Sequence, residues 1–298
     1  ISFARNHGRI AAGQSGPRLP SPGIVEKCSA ISVTDHQRCA GPVERKTGHR
    51  RSDEYALQHV QLFRIDNEQR ARVASGQSGT VFDSTATNPK HYWIPSIMVS
   101  GQGHAAMGFS AAGNTTAASA AYTGRLAGDS AGAMQAPTIY AAGAGNYNPA
   151  ADPGGASGRR WGDYSYTSLD PNDDMTFWTI QEFNDSLNSY GVRIVKLSPP
   201  PPATPSSASV SVQAGGPAVN VVVTGVSSSG SGFFDPGAGF ANRIAASVSG
   251  TGVTVNSITY DSPTQVTLNI SASAGAAAGA RTITVTNPDG QTATSATA

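Results

Sequence analysis

The chain has 298 residues, holds 34 Gly and 19 Pro, and is only 13% charged, against roughly a quarter in an ordinary globular domain. Lys and Arg number 20 and Asp and Glu 19, for a net charge of +1. These values exclude a coiled coil, a strongly charged tail and a disulfide-dense miniprotein, and no window approaches the ~20 apolar residues of a membrane span.

The near-zero balance conceals an asymmetry. Residues 1–52 carry nine Lys and Arg against three Asp and Glu, a net of +6, and the remainder carries 11 against 16, a net of −5. A basic arm is one route to nucleic acid. This one lacks periodicity and interleaved aromatics, so no nucleic-acid partner is expected. Both cysteines, Cys28 and Cys39, lie in it, near His36 and His49, at a spacing that matches no zinc pattern and no C-x-x-C redox pair. The chain begins at Ile1 without a leader pattern, and its composition changes at Arg51 and Ser52. Residues 1–52 are therefore expected to be irregular, and foreign to the fold or disordered.

From residue 53 the texture turns regular. Short apolar runs at 60–65, 80–82, 92–99, 105–110, 138–141, 175–181 and 192–197 alternate with Gly, Asn, Pro and Ser. Runs this short between turn residues predict strands. Residues 120–126 come nearest to a helical period. A run of prolines at 199–202 locks φ and predicts an extended linker over 198–205.

Residues 206–298 hold no Trp and five charged residues. Alternating stretches recur at 219–223, 253–260, 265–270 and 282–285. In one of them Val266, Leu268 and Ile270 share a face opposite Thr267 and Asn269, the pattern of a half-buried strand. Several such strands in about 90 residues predict a small β-sandwich.

This last segment resembles the IPT/TIG family of immunoglobulin-like domains. The resemblance rests on Val223-Thr-Gly-Val226, Gly232-Phe-Phe234, Gly250-Thr-Gly-Val253 and Gly279-Ala-Arg-Thr-Ile-Thr-Val-Thr-Asn-Pro-Asp-Gly290. It implies an extracellular spacer without catalytic residues. The middle segment resembles secreted bacterial proteins related to sialidase-type β-propellers, through Tyr92-Trp-Ile-Pro-Ser-Ile97 and Arg160-Trp-Gly-Asp-Tyr-Ser165 leading into Ser168-Leu-Asp-Pro-Asn-Asp-Asp-Met-Thr-Phe-Trp178. The second stretch is similar to the propeller Asp-box, with Ser168, Asp170, Thr176 and Phe177 in its roles, though without its usual Gly. The resemblances imply a secreted or cell-surface location.

The expected fold class is all-β: a partial β-propeller or sialidase-like domain over 53–197, the linker, and a C-terminal immunoglobulin-like β-sandwich over 206–298. A blade takes about 40–50 residues, so 53–197 holds about three, and exposed strand edges would favour self-association.

Candidate chemistry gathers at Asp163, Asp170, Asn172, Asp173 and Asp174. The one-three-five spacing of Asp170, Asn172 and Asp174 lets a loop wrap oxygens around Ca²⁺, although Met175 and Gln181 stand where an EF-hand needs Gly and Glu. The alternative is an Asx-rich turn. Gly128-Asp-Ser-Ala-Gly132 fits the nucleophile elbow, but no His follows His104, so the hydrolase order of Ser, acid and His fails and a Gly-rich turn is the competing reading. His104 is the best isolated general base, with packing as its alternative. His91, beside Tyr92 and Trp93, reads as packing. Glu182 and Asp163 could pair as acid and base. Arg125, Arg159 and Arg160 could hold a substrate carboxylate or phosphate. Trp161, Tyr164, Tyr166 and Trp178 read either as a sugar-stacking platform or, by strand alternation, as core.

The leading expectation is an extracellular, calcium-dependent hydrolase acting on a small-molecule or glycan substrate. Asp163, His104 and Glu182 would be catalytic, Arg160, Trp161 and Tyr164 would bind substrate, and metal-bound water would attack an ester, lactone, phosphodiester or glycosidic bond. The alternatives are a non-catalytic adhesion or carbohydrate-binding surface protein, and an inactive fragment.

Overall fold

The computed structural model describes residues 60–65, 77–149, 160–162, 164–207 and 209–296. The expectation for residues 1–52 lies outside them. The described residues contain sixteen strands and no helix. In chain order these are β1 (Val60–Ile65), β2 (Gln77–Val81), β3 (His91–Val99), β4 (Ala105–Gly113), β5 (Thr116–Arg125), β6 (Thr138–Ala141), β7 (Tyr166–Leu169) and β8 (Phe177–Ser186). They continue as β9 (Ser189–Leu197), β10 (Thr204–Ser207), β11 (Val219–Val226), β12 (Ala245–Val248), β13 (Val253–Ser262), β14 (Gln265–Ala272), β15 (Ile283–Thr286) and β16 (Thr292–Thr294).

Every strand pair in these sheets is antiparallel. The chain first pairs β1 with β2, then builds a sheet of order β3-β4-β5-β6 and a third of order β7-β8-β9. The middle sheet is buried on both faces. On one face Met107, Phe109 and Ala111 pack with Tyr92, Ile97 and Val81 of β2. On the other, Ala106 and Tyr122 pack with Phe177 of β8 and Leu197 of β9. Three sheets thus lie in layers, with β4 near the centre.

The residues of β4 and β5 explain this closeness. They are mostly Ala, Gly, Ser and Thr, and small side chains let a neighbouring sheet approach. A Cβ added at Gly108 would lie 2.1 Å from Thr179 Oγ1 and 2.4 Å from Gln181 Nε2. Residues 120–126, the nearest helical candidate, fall almost wholly in β5, because the alanines that favour a helix locally are also the ones that fit between two sheets.

A bulge in β3 ties the layers. Pro95 cannot donate to the ladder, the register shifts between Trp93 and Ser96, and Ile94 takes φ of 51°. Ser96 then meets β7: its Oγ accepts from Thr167 N at 2.8 Å and its carbonyl from Thr167 Oγ1 at 2.9 Å.

The proline run packs against the fold. Pro199, Pro200, Pro202 and Ala203 are buried, and β10 begins at Thr204 and pairs with β11. After it come sheets of order β10-β11-β14-β13 and β12-β15-β16. They share one core, in which Val221, Val223, Val266, Leu268 and Ile270 of the first sheet meet Ile283 and Val285 of the second. The alternation expected along β14 holds through Ala272.

Candidate functional site

The carboxylates of residues 170–174 fold into a self-satisfying turn. Asp170 N donates to Thr176 O at 2.8 Å, and Asp173 N and Asp174 N donate back to Asp170 O. Asp170 Oδ1 accepts from the backbone and side-chain nitrogens of Asn172, and its Oδ2 accepts from the Trp178 indole at 3.2 Å. The Asn172 N–H holds the Asp170 carboxyl below its ordinary range. Asp173 is buried; its Oδ1 accepts from Met175 N and Thr176 N, and its Oδ2 from Thr176 Oγ1 at 2.7 Å.

Asp174 turns the other way. Its φ of 52° carries its carboxylate toward Gly101, where an added Cβ would lie 2.2 Å from Oδ2. Burial raises its carboxyl, the Gly101 N–H opposes that shift, and the charge of Asp173 adds to it. The Asn172 carbonyl accepts from Asn242 N at 2.9 Å, which ties the turn to the C-terminal sheets. The oxygens considered for calcium are thus the acceptors of an Asx turn, and those of Asp170 and Asp174 have different neighbours. Among the described residues no group of three or more His, Cys, Asp or Glu is placed to hold a metal ion. Asp163 lies outside the described residues.

His104 is buried before β4. Its Nδ1 accepts from Ala127 N at 2.9 Å, which places the ring proton of the neutral form on Nε2. Burial lowers its pKa, Asp129 opposes that shift and Arg125 adds to it. The one lone pair a neutral imidazole offers is thus already used by the chain. Arg125 is buried too, and its Nη2 donates to the Asp129 carbonyl at 2.7 Å. Asp129 Oδ2 accepts from Leu126 N, and the Ser130 carbonyl accepts from Ala133 N. The stretch 128–132 is therefore a turn after a strand, and no helix follows it.

Glu182 stands opposite Val192 on β8, and a Cβ at Gly162 would lie 2.0 Å from its Oε2. Four residues separate it from Trp178, about 13 Å at the ordinary strand rise, so it is remote from Asp170. Arg160 is exposed, and Arg159 lies outside the described residues. Trp161 is half-buried: its indole donates to Ser110 Oγ at 3.1 Å, and its ring meets Trp93 and Tyr147 edge-on. It fills a seam. His91 is half-buried as well.

The other aromatics correct the core reading. Tyr164 is 87% exposed, Tyr166 63% and Trp178 36%. The register explains why. Across β7, β8 and β9 one row holds Tyr166, Ile180 and Ile194, the next Ser168, Trp178 and Lys196, and a third pairs Glu182 with Val192. This set faces away from the middle sheet. The alternate set, Phe177, Thr179 and Gln181, is buried, with Gln181 Nε2 donating to Thr179 Oγ1 and Thr179 sharing a hydrogen bond with Thr167. The β7-β8-β9 sheet thus hides the polar Thr167, Thr179 and Gln181 beside Phe177 and Leu197, and exposes Tyr166, Trp178, Val192 and Ile194. The signal in the sequence was the alternation of Trp178, Ile180 and Glu182 with Thr179 and Gln181; polarity alone assigns it to the wrong face.

Comparison with protein-family models, curated proteins and solved structures gives no match for this chain.

Proposed function

We propose that this chain is a non-catalytic, extracellular carbohydrate-binding module. Its layered sheets at 60–197 form part of a propeller-like stack, and the immunoglobulin-like sandwich after the prolines acts as a spacer. The single observation that carries this reading is the outer face of β7-β8-β9, where Tyr166 and Trp178 lie exposed among Ile180, Val192 and Ile194.

Large aromatics on a flat sheet cover the apolar C–H face of a sugar ring at little conformational cost, and their polar tips stay wet. Trp178 is held in place by Asp170. Ser168 and Lys196, beside it in the register, supply donors for sugar hydroxyls. The groups weighed for hydrolysis support the same reading, since Asp170, Asp173 and His104 already serve as acceptors for the chain itself.

The test is affinity electrophoresis and titration calorimetry of the full chain against soluble β-glucan, xylan, mannan and chitin oligomers. Binding to at least one of them is expected, with a loss of about tenfold or more on Trp178→Ala or Tyr166→Ala, as for other aromatic anchors. A panel of chromogenic ester, lactone, phosphodiester and glycoside substrates is expected to show no turnover. Turnover that EDTA abolishes would return the hydrolase reading, and binding that survives both substitutions would remove the platform.

A further inference from the structure

The C-terminal core is filled unevenly. At one part Phe233, Leu268 and Val285 are fully buried and close-packed. Elsewhere the two sheets leave a cavity of about 450 Å³. Its floor is apolar, made by Val221 and Ile270 from one sheet and Val248 and Ile283 from the other. Its walls include the run 276–280, four alanines and a glycine with short side chains, and the segment 209–212. Its size lies within the range of ordinary small-molecule sites.

One charge lines this cavity. Arg281 is held there by two contacts: its Nη2 donates to the Ala277 carbonyl, and its guanidinium lies so close to Gly250 that an added Cβ would be 2.7 Å from Nη1. Gly250 takes φ of 90°, so the approach depends on glycine. The carboxylates of this part of the chain are engaged elsewhere. Asp235 pairs with Arg243, Asp261 accepts from Gln265 and Thr267, and Asp289 accepts from Gln291. Among the described residues no carboxylate forms an ion pair with Arg281.

We infer that this cavity is a binding site for an amphipathic carboxylate, whose alkyl chain enters between the two sheets and whose head group meets Arg281. Both parts of such a ligand find matching groups in the lining: apolar side chains of the two sheets for the chain, and the half-exposed Arg281 for the head group. A guanidinium presents two parallel N–H donors to a carboxylate, so the head group is fixed by hydrogen bonds as well as by charge. The inference does not depend on the outer face of β7-β8-β9.

The test is titration calorimetry of the full chain with sodium octanoate, decanoate and dodecanoate, each below its micelle-forming concentration. One-to-one binding is expected, tightening by about fourfold for each methylene that enters until the cavity is full. Arg281→Gln is expected to weaken dodecanoate about tenfold and leave dodecanol unchanged. Ala277→Phe, on the exposed loop, is expected to abolish binding of both. Absence of binding, affinity independent of chain length, or undiminished binding by Ala277→Phe would each overturn the inference. Should Ala277→Phe lose its native circular dichroism, the difference between dodecanoate and dodecanol in Arg281→Gln decides alone.

Discussion

The indole Nε1 of Trp178 donates to Oδ2 of Asp170 at 3.2 Å, so the turn that precedes β8 fixes the ring that β8 exposes. The two oxygens of Asp170 have separable tasks, since Oδ1 serves Asn172 and Oδ2 serves Trp178. Asp170→Asn keeps an acceptor for Asn172 and loses the one for the indole. It is expected to weaken polysaccharide binding about threefold to tenfold, with a change of under about 1 kcal/mol in stability, because the lost bond is exposed. Calorimetry and urea denaturation of the same samples check both halves. Because the Asp170 carboxyl is lowered in the fold, its contribution is present above the ordinary carboxylate range and disappears as pH falls through its native value.

Asp173 carries the structural weight of the same turn. Its buried carboxylate accepts three hydrogen bonds, two of them from backbone N–H groups that no water reaches. Asp173→Ala is expected to cost about 3 kcal/mol, and Asp173→Asn about 1 kcal/mol, since the amide oxygen still accepts from Met175 and Thr176. The midpoint of urea unfolding measures the difference.

Asp174 pulls the other way with pH. Its carboxyl is raised by burial, so the native state holds its proton more tightly than the unfolded state does. Such a group contributes stability below the unfolded carboxylate pKa, and that contribution is lost as pH rises through the raised native value. Asp289 is raised for the same first reason, burial, and acts in the same direction. Asp174→Asn leaves the hydrogen bond from Gly101 N to the residue-174 carbonyl in place and tolerates the positive φ. Its Tm is expected to exceed that of the parent at pH 7, and the gain is expected to vanish near pH 3. A gain that stays constant across that range would contradict the assignment.

Gly108 sets the spacing of two layers. The atoms its Cβ would strike, Thr179 Oγ1 and Gln181 Nε2, are hydrogen-bonded to each other at 2.9 Å and cannot both turn aside. Gly108→Ala is expected to cost about 2–3 kcal/mol by overpacking. Thr179→Ala removes one obstacle, so the double variant is expected to be more stable than the two single costs together imply, which a double-mutant cycle by denaturation measures.

Asn287 shows how a local signal acquires a distant partner. Asn287-Pro-Asp-Gly290 reads as a turn, and Gly290 N does donate to Asn287 O at 2.9 Å. The side chain does more: Nδ2 donates to Gly232 O at 2.8 Å and Oδ1 accepts from Phe234 N at 3.1 Å. Asn287→Ala is expected to cost about 2–3 kcal/mol, because two buried backbone groups lose their partners. Asn287→Asp is expected to be worse at neutral pH than at pH 3, since it sets a buried carboxylate against a carbonyl. Thermal melts at both pH values test this.

The amino-acid sequence by itself determined the all-β class and the positions of most strands. Period two in residues 265–270 and the Pro, Gly and Asn between short apolar runs are local facts, and strand formation follows from them. It also contained the Asx turn at 170–174, because an Asp can cap the backbone a few residues on without help from elsewhere. Sheet order and facing were decided only by the tertiary structure. Residues 120–125 became a strand because two sheets close on their alanines. Thr179 and Gln181 went inward because Gly108 leaves room for them, Thr167 bonds Thr179 and Thr179 bonds Gln181, and Tyr166 and Trp178 were turned outward. The proline run became part of the packed fold because Gln291, far along the chain, donates to Pro199 O. Alternation along a strand says that two sets of residues face opposite ways; which set is buried depends on what lies across the layer, and no local pattern holds that information.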